Sequence, residues 1–151
     1  MAFQFSTGLK NGILGIDSMD SLLSDGYVNL YGGTMPATAD DAEGSSVLLT
    51  RYSNAGAQGV GNGLNFDNPD NGALSKDSTQ VWSGEGINDG TASFFRFVTQ
   101  ADTGAASPTE VRIQGTVGGA GADMFVQSAV VTEDTNYTID YFTIVIPTVP
   151  S

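Results

Sequence analysis

Few side chains in this chain could do chemistry, and their spacing assembles no reactive set. The 151 residues include no histidine and no cysteine, which excludes Ser–His and Cys–His nucleophile pairs and Cys/His zinc sites. Disulfides are excluded as well, so stability must come from the core or from partners. Ser75-Lys76 sets a serine beside a lysine, but in a loop, and adjacency in sequence does not aim a base at a nucleophile. Gly59, Gly61 and Gly63 do not follow G-x-G-x-x-G, and "GTVGGAGAD" (115–123) lacks the Lys and Ser/Thr of a phosphate loop. Neither stretch opens a predicted helix, so both read as turn glycine.

Carboxylates are the remaining resource, with 17 acids against 5 bases. "DNPDNG" (67–72) and "EGINDG" (85–90) cluster oxygen ligands around a turn glycine, which makes calcium the metal to consider. Neither carries the glutamate at the twelfth position or the flanking helices of an EF-hand. Asp and Asn also populate turns because they hydrogen-bond locally and tolerate left-handed backbone. The expectation is therefore no cofactor, with calcium as the exception to test. A carboxylate pair at glycosidase separation arises by chance among this many acids, and the chain is short for a deep cleft as well as a core. No enzyme is expected. Sugar binding through exposed aromatics is the other chemistry on offer, with Tyr27, Tyr31, Tyr52 and Trp82 available and Tyr31 and Trp82 as the glycan candidates. Trp82 lies in the apolar run "QVW", which reads as core.

Net charge is −12, and Lys10, Arg51, Lys76, Arg96 and Arg112 are scattered along the sequence. No nucleic-acid partner is expected, since that binding rests on cations neutralising phosphates. No membrane partner is expected either. No stretch approaches the ~20 apolar residues that span a bilayer, and Lys10 interrupts an opening that lacks the basic start of a signal peptide.

Any site must be positioned by short elements. Ser6-Thr7 can cap a helix in which Leu9, Ile13 and Ile16 form one apolar stripe, weakened by Gly8, Gly12 and Gly15. A second helical piece runs from Ser18 to Ser24, with Met19, Leu22 and Leu23 apolar, and stops at Asp25-Gly26. The helical period then disappears. "YVNLY" (27–31) alternates, and "GGTMPATADDAEGSS" (32–46) is a turn-rich connection. "VLLTRY" (47–52), "STQVW" (78–82, closed by "SGEGINDG"), "ASFFRFV" (92–98) and "DMFVQSAVV" (123–131) read as strands. "VRIQGTV" (111–117) places Val111, Ile113 and Val117 inside and Arg112, Gln114 and Thr116 outside. "NYTIDYFTIVI" (136–146) reads as one long last strand stopped by Pro147 and Pro150.

Roughly seven to nine short strands parted by Gly/Asn/Asp turns predict an all-β fold. The expected architecture is an antiparallel β-sandwich, jelly-roll or immunoglobulin-like, with a short N-terminal helical segment. The chain forms a single domain, with the helical segment over residues 1–26 and the sandwich over 27–151. A half-buried sheet should be apolar on alternate residues only. Here Tyr137, Ile139 and Tyr141 oppose Phe142, Ile144 and Ile146, and Phe95 and Phe97 oppose Phe94 and Val98. Something must cover the second face: first the N-terminal segment, otherwise a neighbouring subunit. The candidate subunit-interface residues are Phe3, Phe5, Leu9, Ile13, Phe142, Ile144 and Ile146.

The opening "MAFQFSTGLKNGILG", through Ser6-Thr7-Gly8-Leu9-Lys10-Asn11, resembles small virion structural proteins of tailed bacteriophages, which share a Phe-containing start and "STGLRN"-like residues. "VNLYGGTMPATADDA", "TASFFRFV" and "YFTIVIP" look similar too. The likeness covers most of the chain, in packing and turn motifs; Lys10 stands where arginine is commoner. It implies a non-enzymatic virion component, foremost a head decoration or cement protein on the outside of the capsid. The implied partners are the major capsid protein or other virion proteins, with this chain as a homo-oligomer or as lattice-bound copies assembled in the host cytoplasm. The alternative is a tail-, neck- or fibre-associated β-sandwich module that binds host glycans.

With no calcium loop of the EF-hand kind, EDTA is expected to leave the thermal midpoint unchanged. A large fall, read by circular dichroism, would reveal a structural cation.

Overall fold

The computed structural model describes residues 3–145; Ile146, Pro147 and Pro150 lie outside them. Ser6 shows how the sequence starts the fold. Its backbone is extended and its hydroxyl accepts the Leu9 amide at 3.1 Å, so helix α1 spans Thr7–Gly15. The same hydroxyl donates to the Glu110 carbonyl at 2.7 Å and accepts the Arg112 amide at 2.9 Å, which fixes the cap to a distant strand. Ser18 caps helix α2 (Met19–Leu23) in the same way. The glycines that weaken α1 as an isolated helix allow it to pack. A Cβ on Gly8 would collide with the Thr109 and Glu110 carbonyls, and one on Gly12 would meet Leu22 at 2.8 Å.

The rest is β-structure, nearly all antiparallel. The strands are β1 (Gln4–Phe5), β2 (Tyr27–Gly32), β3 (Val47–Asn54), β4 (Ala73–Ser75), β5 (Trp82–Glu85) and β6 (Gly90–Thr91). They continue with β7 (Phe94–Val98), β8 (Arg112–Gly118), β9 (Met124–Phe125), β10 (Val130–Val131), β11 (Asn136–Ile139) and β12 (Thr143–Val145). One sheet runs β1-β8-β7-β2-β3-β5-β11, with β9 parallel beside β8, while β10–β6 and β12–β4 form two-stranded ribbons.

Three expectations are corrected. The segment 136–146 is not one strand: β11 pairs with β5 at the sheet edge, and β12 departs to pair with β4. The break lets Ile139, Phe142 and Ile144 all enter one core, which the alternation of a single straight strand forbids, and it leaves Tyr141 outside at 88% exposure. Strand β5 starts at Trp82, where the expected strand ended, and runs through Ser83-Gly84-Glu85. The α1 stripe divides: Leu9 is buried, but the helix ends at Gly15 and α2 crosses at Gly12, so Ile13 and Ile16 turn outward.

One face of the main sheet carries the core. Register places Val28, Leu30, Phe95, Phe97 and Ile113 together, with Phe66, Trp82 and Phe142 packed over them. Phe3 stacks on Phe142 at a centroid separation of 5.4 Å and meets Phe95 edge-on at 5.6 Å. Leu9, Leu23, Leu74 and Ile144 belong to the same cluster. The N-terminal segment and the β4–β12 ribbon thus lie on the same side of the sheet.

Leu9→Ala should cost about 2–5 kcal/mol in urea unfolding, the range for emptying a close-packed leucine site. Ile16→Ala should shift the stability of the free chain by no more than ~0.5 kcal/mol.

Candidate functional site

The opposite face of the sheet is polar and enclosed. Arg51, Asn29, Arg96, Gln114 and Gln4 stand side by side across β3, β2, β7, β8 and β1. Arg112 and Gln114, expected outside, are fully buried. Their cover is the 33–46 connection and the 99–110 loop. Arg96 Nη2 donates to the Asp41 carbonyl at 2.7 Å, Arg112 Nη1 to Ala39 at 3.1 Å, and Gln114 Nε2 to Pro36 at 2.9 Å. Arg112 Nη2 reaches Ala105 at 2.6 Å. Irregular backbone has no ladder partners for its carbonyls, and a guanidinium fork supplies several donors at once.

Arg112 is itself anchored by Asp102, through Nε to Oδ2 at 2.6 Å and Nη2 to Oδ1 at 2.8 Å, with both side chains 1% exposed. Burial pushes the Asp102 carboxyl up, but the Arg112 hydrogen bonds, the Gly104 amide and the nearby guanidinium charges together hold it below its ordinary value. Arg96 is held below its ordinary value by burial and by the Arg112 charge, and its Nη1 has no partner among the described residues. Beside it lies a polar cavity of about 60 Å³ lined by Arg51, Asn29, Tyr31, Glu43 and Asp102. Of the five scattered cations, three share this face.

The glycan candidates are not on the surface. Tyr31 is 3% exposed, stacks on Phe94 at 4.9 Å and donates its hydroxyl to Glu43 at 2.6 Å. Trp82 is fully buried, its Nε1 donating to Gln80 Oε1 at 3.0 Å. Neither offers a ring face to a sugar. Of the candidate interface residues, Leu9, Phe142 and Ile144 are buried inside this chain, Phe3 and Phe5 are half-buried against its core, and Ile13 is partly exposed. Ile146 lies outside the described residues. The acidic turns are accounted for locally: Asn71 and Gly72 are left-handed and Asp70 pairs with Ala73, while Asp89 accepts the Glu133 amide at 2.8 Å. Among the described residues no three acids group to hold a metal, and no helix is long and apolar enough to cross a membrane.

What the chain does expose is apolar surface in two grooves. A groove of about 400 Å³ runs between the helices and the β4–β12 ribbon, walled by Ile13, Met19, Leu74 and Ile144. Leu14 (85% exposed) and Ile16 (79%) follow Ile13 at the end of α1, and Val145 (60%) follows Ile144. A smaller groove of about 140 Å³ has Phe125 and Tyr141, both largely exposed, beside Thr138, Asp140 and Gln127. Periodicity missed Leu14, Val145, Phe125 and Tyr141. Gly15 ending the helix and Asp140 interrupting the last apolar run were the available signals.

Because the folded Asp102 value is depressed, the pair's stabilisation is full above about pH 4 and is lost as pH falls through the folded value. Asp102→Asn should destabilise the chain by about 3–5 kcal/mol at pH 7 and flatten the acid limb of the stability profile below pH 4, read by urea titration at stepped pH. No protein-family model, no curated protein and no solved structure matches the chain.

Proposed function

We propose that the chain is a non-enzymatic structural protein of a tailed-bacteriophage virion, foremost a head decoration or cement protein that binds and stabilises the capsid lattice. The observation that carries this reading is the apolar groove walled by Ile13, Met19, Leu74 and Ile144, with Leu14 and Ile16 exposed on the adjoining stretch at the end of α1. Single exposed apolar residues are ordinary, whereas a gathered patch marks an interaction surface. A site repeated over a lattice turns a modest contact into stable occupancy. The sequence resemblance names the partner class, the major capsid protein or another virion protein. The net charge of −12 suits a solvated exterior that repels DNA.

In this reading the fold is a lopsided β-sandwich, with the β4–β12 ribbon and the helices as the thin layer over the main sheet. The second function, a tail or fibre module binding host glycans, moves from Tyr31 and Trp82 to Tyr141 and Phe125. There, exposed ring faces stand beside the hydrogen-bonding groups of Asp140, Gln127 and Thr138.

The Leu14→Asp, Ile16→Asp double variant should keep the melting curve of the parent and lose at least ~10-fold in binding to purified heads, since two apolar contacts are removed. Undiminished binding would overturn the docking surface. Recovery with tails alone, together with glycan binding that disappears in Tyr141→Ala, would favour the second function.

A further inference from the structure

The enclosed polar face contains a donor that the protein leaves unanswered. Arg96 is 1% exposed; its Nε donates to Gln114 Oε1 at 3.0 Å and its Nη2 to the Asp41 carbonyl, but Nη1 has no acceptor. Arg96 lines the 60 Å³ cavity together with Arg51, and the two arginines flank Asn29 on adjacent strands. Arg51 Nε donates to Asn29 Oδ1 at 2.9 Å, and its Nη nitrogens make no hydrogen bond among the described residues. Two guanidiniums therefore line one small space, that of Arg51 lying 5.3 Å from the Tyr27 ring centroid.

Charge sharpens the point. Both Asp102 oxygens are taken by Arg112, with the Gly104 amide as a further donor, so that lining carboxylate is already neutralised. Glu43 also lines the space, but it already accepts the Tyr31 hydroxyl. Neither lining carboxylate accepts from Arg96 Nη1 or the Arg51 Nη nitrogens. A water molecule would satisfy Nη1 alone, whereas a monovalent anion answers both guanidiniums. The volume admits a single ion of a few atoms at most and excludes nucleotides and sulfated sugars.

We infer that this cavity is a binding site for one small inorganic anion of chloride size, held between Arg96 Nη1 and the Arg51 guanidinium. The anion joins β3 and β7 to the 99–110 loop on the face opposite the core. The site does not depend on the virion reading, and its test uses the free full-length chain.

Thermal unfolding is followed while sodium chloride replaces sodium gluconate at constant ionic strength, with chloride-35 NMR line broadening as a direct binding readout and bromide-soaked crystals locating the ion. The midpoint should rise saturably with chloride, and bromide should appear beside Arg96 Nη1. Arg51→Gln should weaken half-saturation roughly tenfold or more, and Glu43→Gln, which removes the competing carboxylate, should tighten it. Indifference of the midpoint and line width to the anion swap would overturn the site. So would an unchanged response in both variants, or water alone in the bromide crystals.

Discussion

Arg96 and Arg112, diagonal neighbours on β7 and β8 and both out of contact with solvent, determine how one whole face of this protein is organised. A sheet that buries charge on one face cannot pack that face against apolar side chains, because an unpaired guanidinium in a dry interior is far too costly. It needs acceptors, and here they are the free carbonyls of Pro36, Thr38, Ala39, Asp41 and Ala105 together with the Asp102 carboxylate. The dependence runs both ways. The 33–46 connection has too little regular structure to satisfy its own backbone, so the arginines serve it as a ladder would. The sheet's other face is then free for the aromatic core, which the N-terminal segment, the helices and the β4–β12 ribbon close over.

Much of this was legible in the sequence. The capping serines, the two helices, the strands around Val28, Phe95 and Ile113 and the all-β class follow from local signals that tertiary packing did not override. That a second face is covered was legible from Phe94 and Val98, but its cover is the 33–46 and 99–110 segments, not the N-terminal segment or a neighbouring subunit. Its polar lining was not legible, because alternation assigns a side chain to a face without saying whether solvent lies there. Arg112 and Gln114 look like outward residues of "VRIQGTV" whether a loop covers them or not. The arginine within "FFRFV", so deep in an apolar run, was the clue that the second face is enclosed. The end surface was misread for a different reason. Leu9, Ile13 and Ile16 have helical spacing, but a helix that stops at Gly15 and is crossed at Gly12 buries only the first of them. In the last strand, strict alternation put Ile139 opposite Phe142 and Ile144, whereas a break between them delivers all three to one core.

The two faces of the sheet therefore divide the labour. The apolar face makes the fold and the polar face fixes the loops, while exposed apolar residues lie both near the groove between the helices and the β4–β12 ribbon and at Phe125 and Tyr141. In the proposed virion role, the groove between the helices and the β4–β12 ribbon is the surface that would dock. The glycan alternative uses a different edge of the molecule, near Phe125 and Tyr141, so the two functions do not compete for the same residues.

Arginine hydrogen bonds to the irregular 33–46 and 99–110 segments should hold them as firmly as the strands beneath them. Amide hydrogen exchange followed by NMR tests this directly at two positions. The Glu43 amide donates to the Gly104 carbonyl at 3.0 Å and the Ser107 amide to the Asp40 carbonyl at 2.8 Å. If the arginines clamp these segments, both amides exchange only through global unfolding, with the same opening free energy as the amides of β2 and β7. Exchange at these two amides many orders of magnitude faster than in the strands, under conditions where the core stays closed, would contradict it.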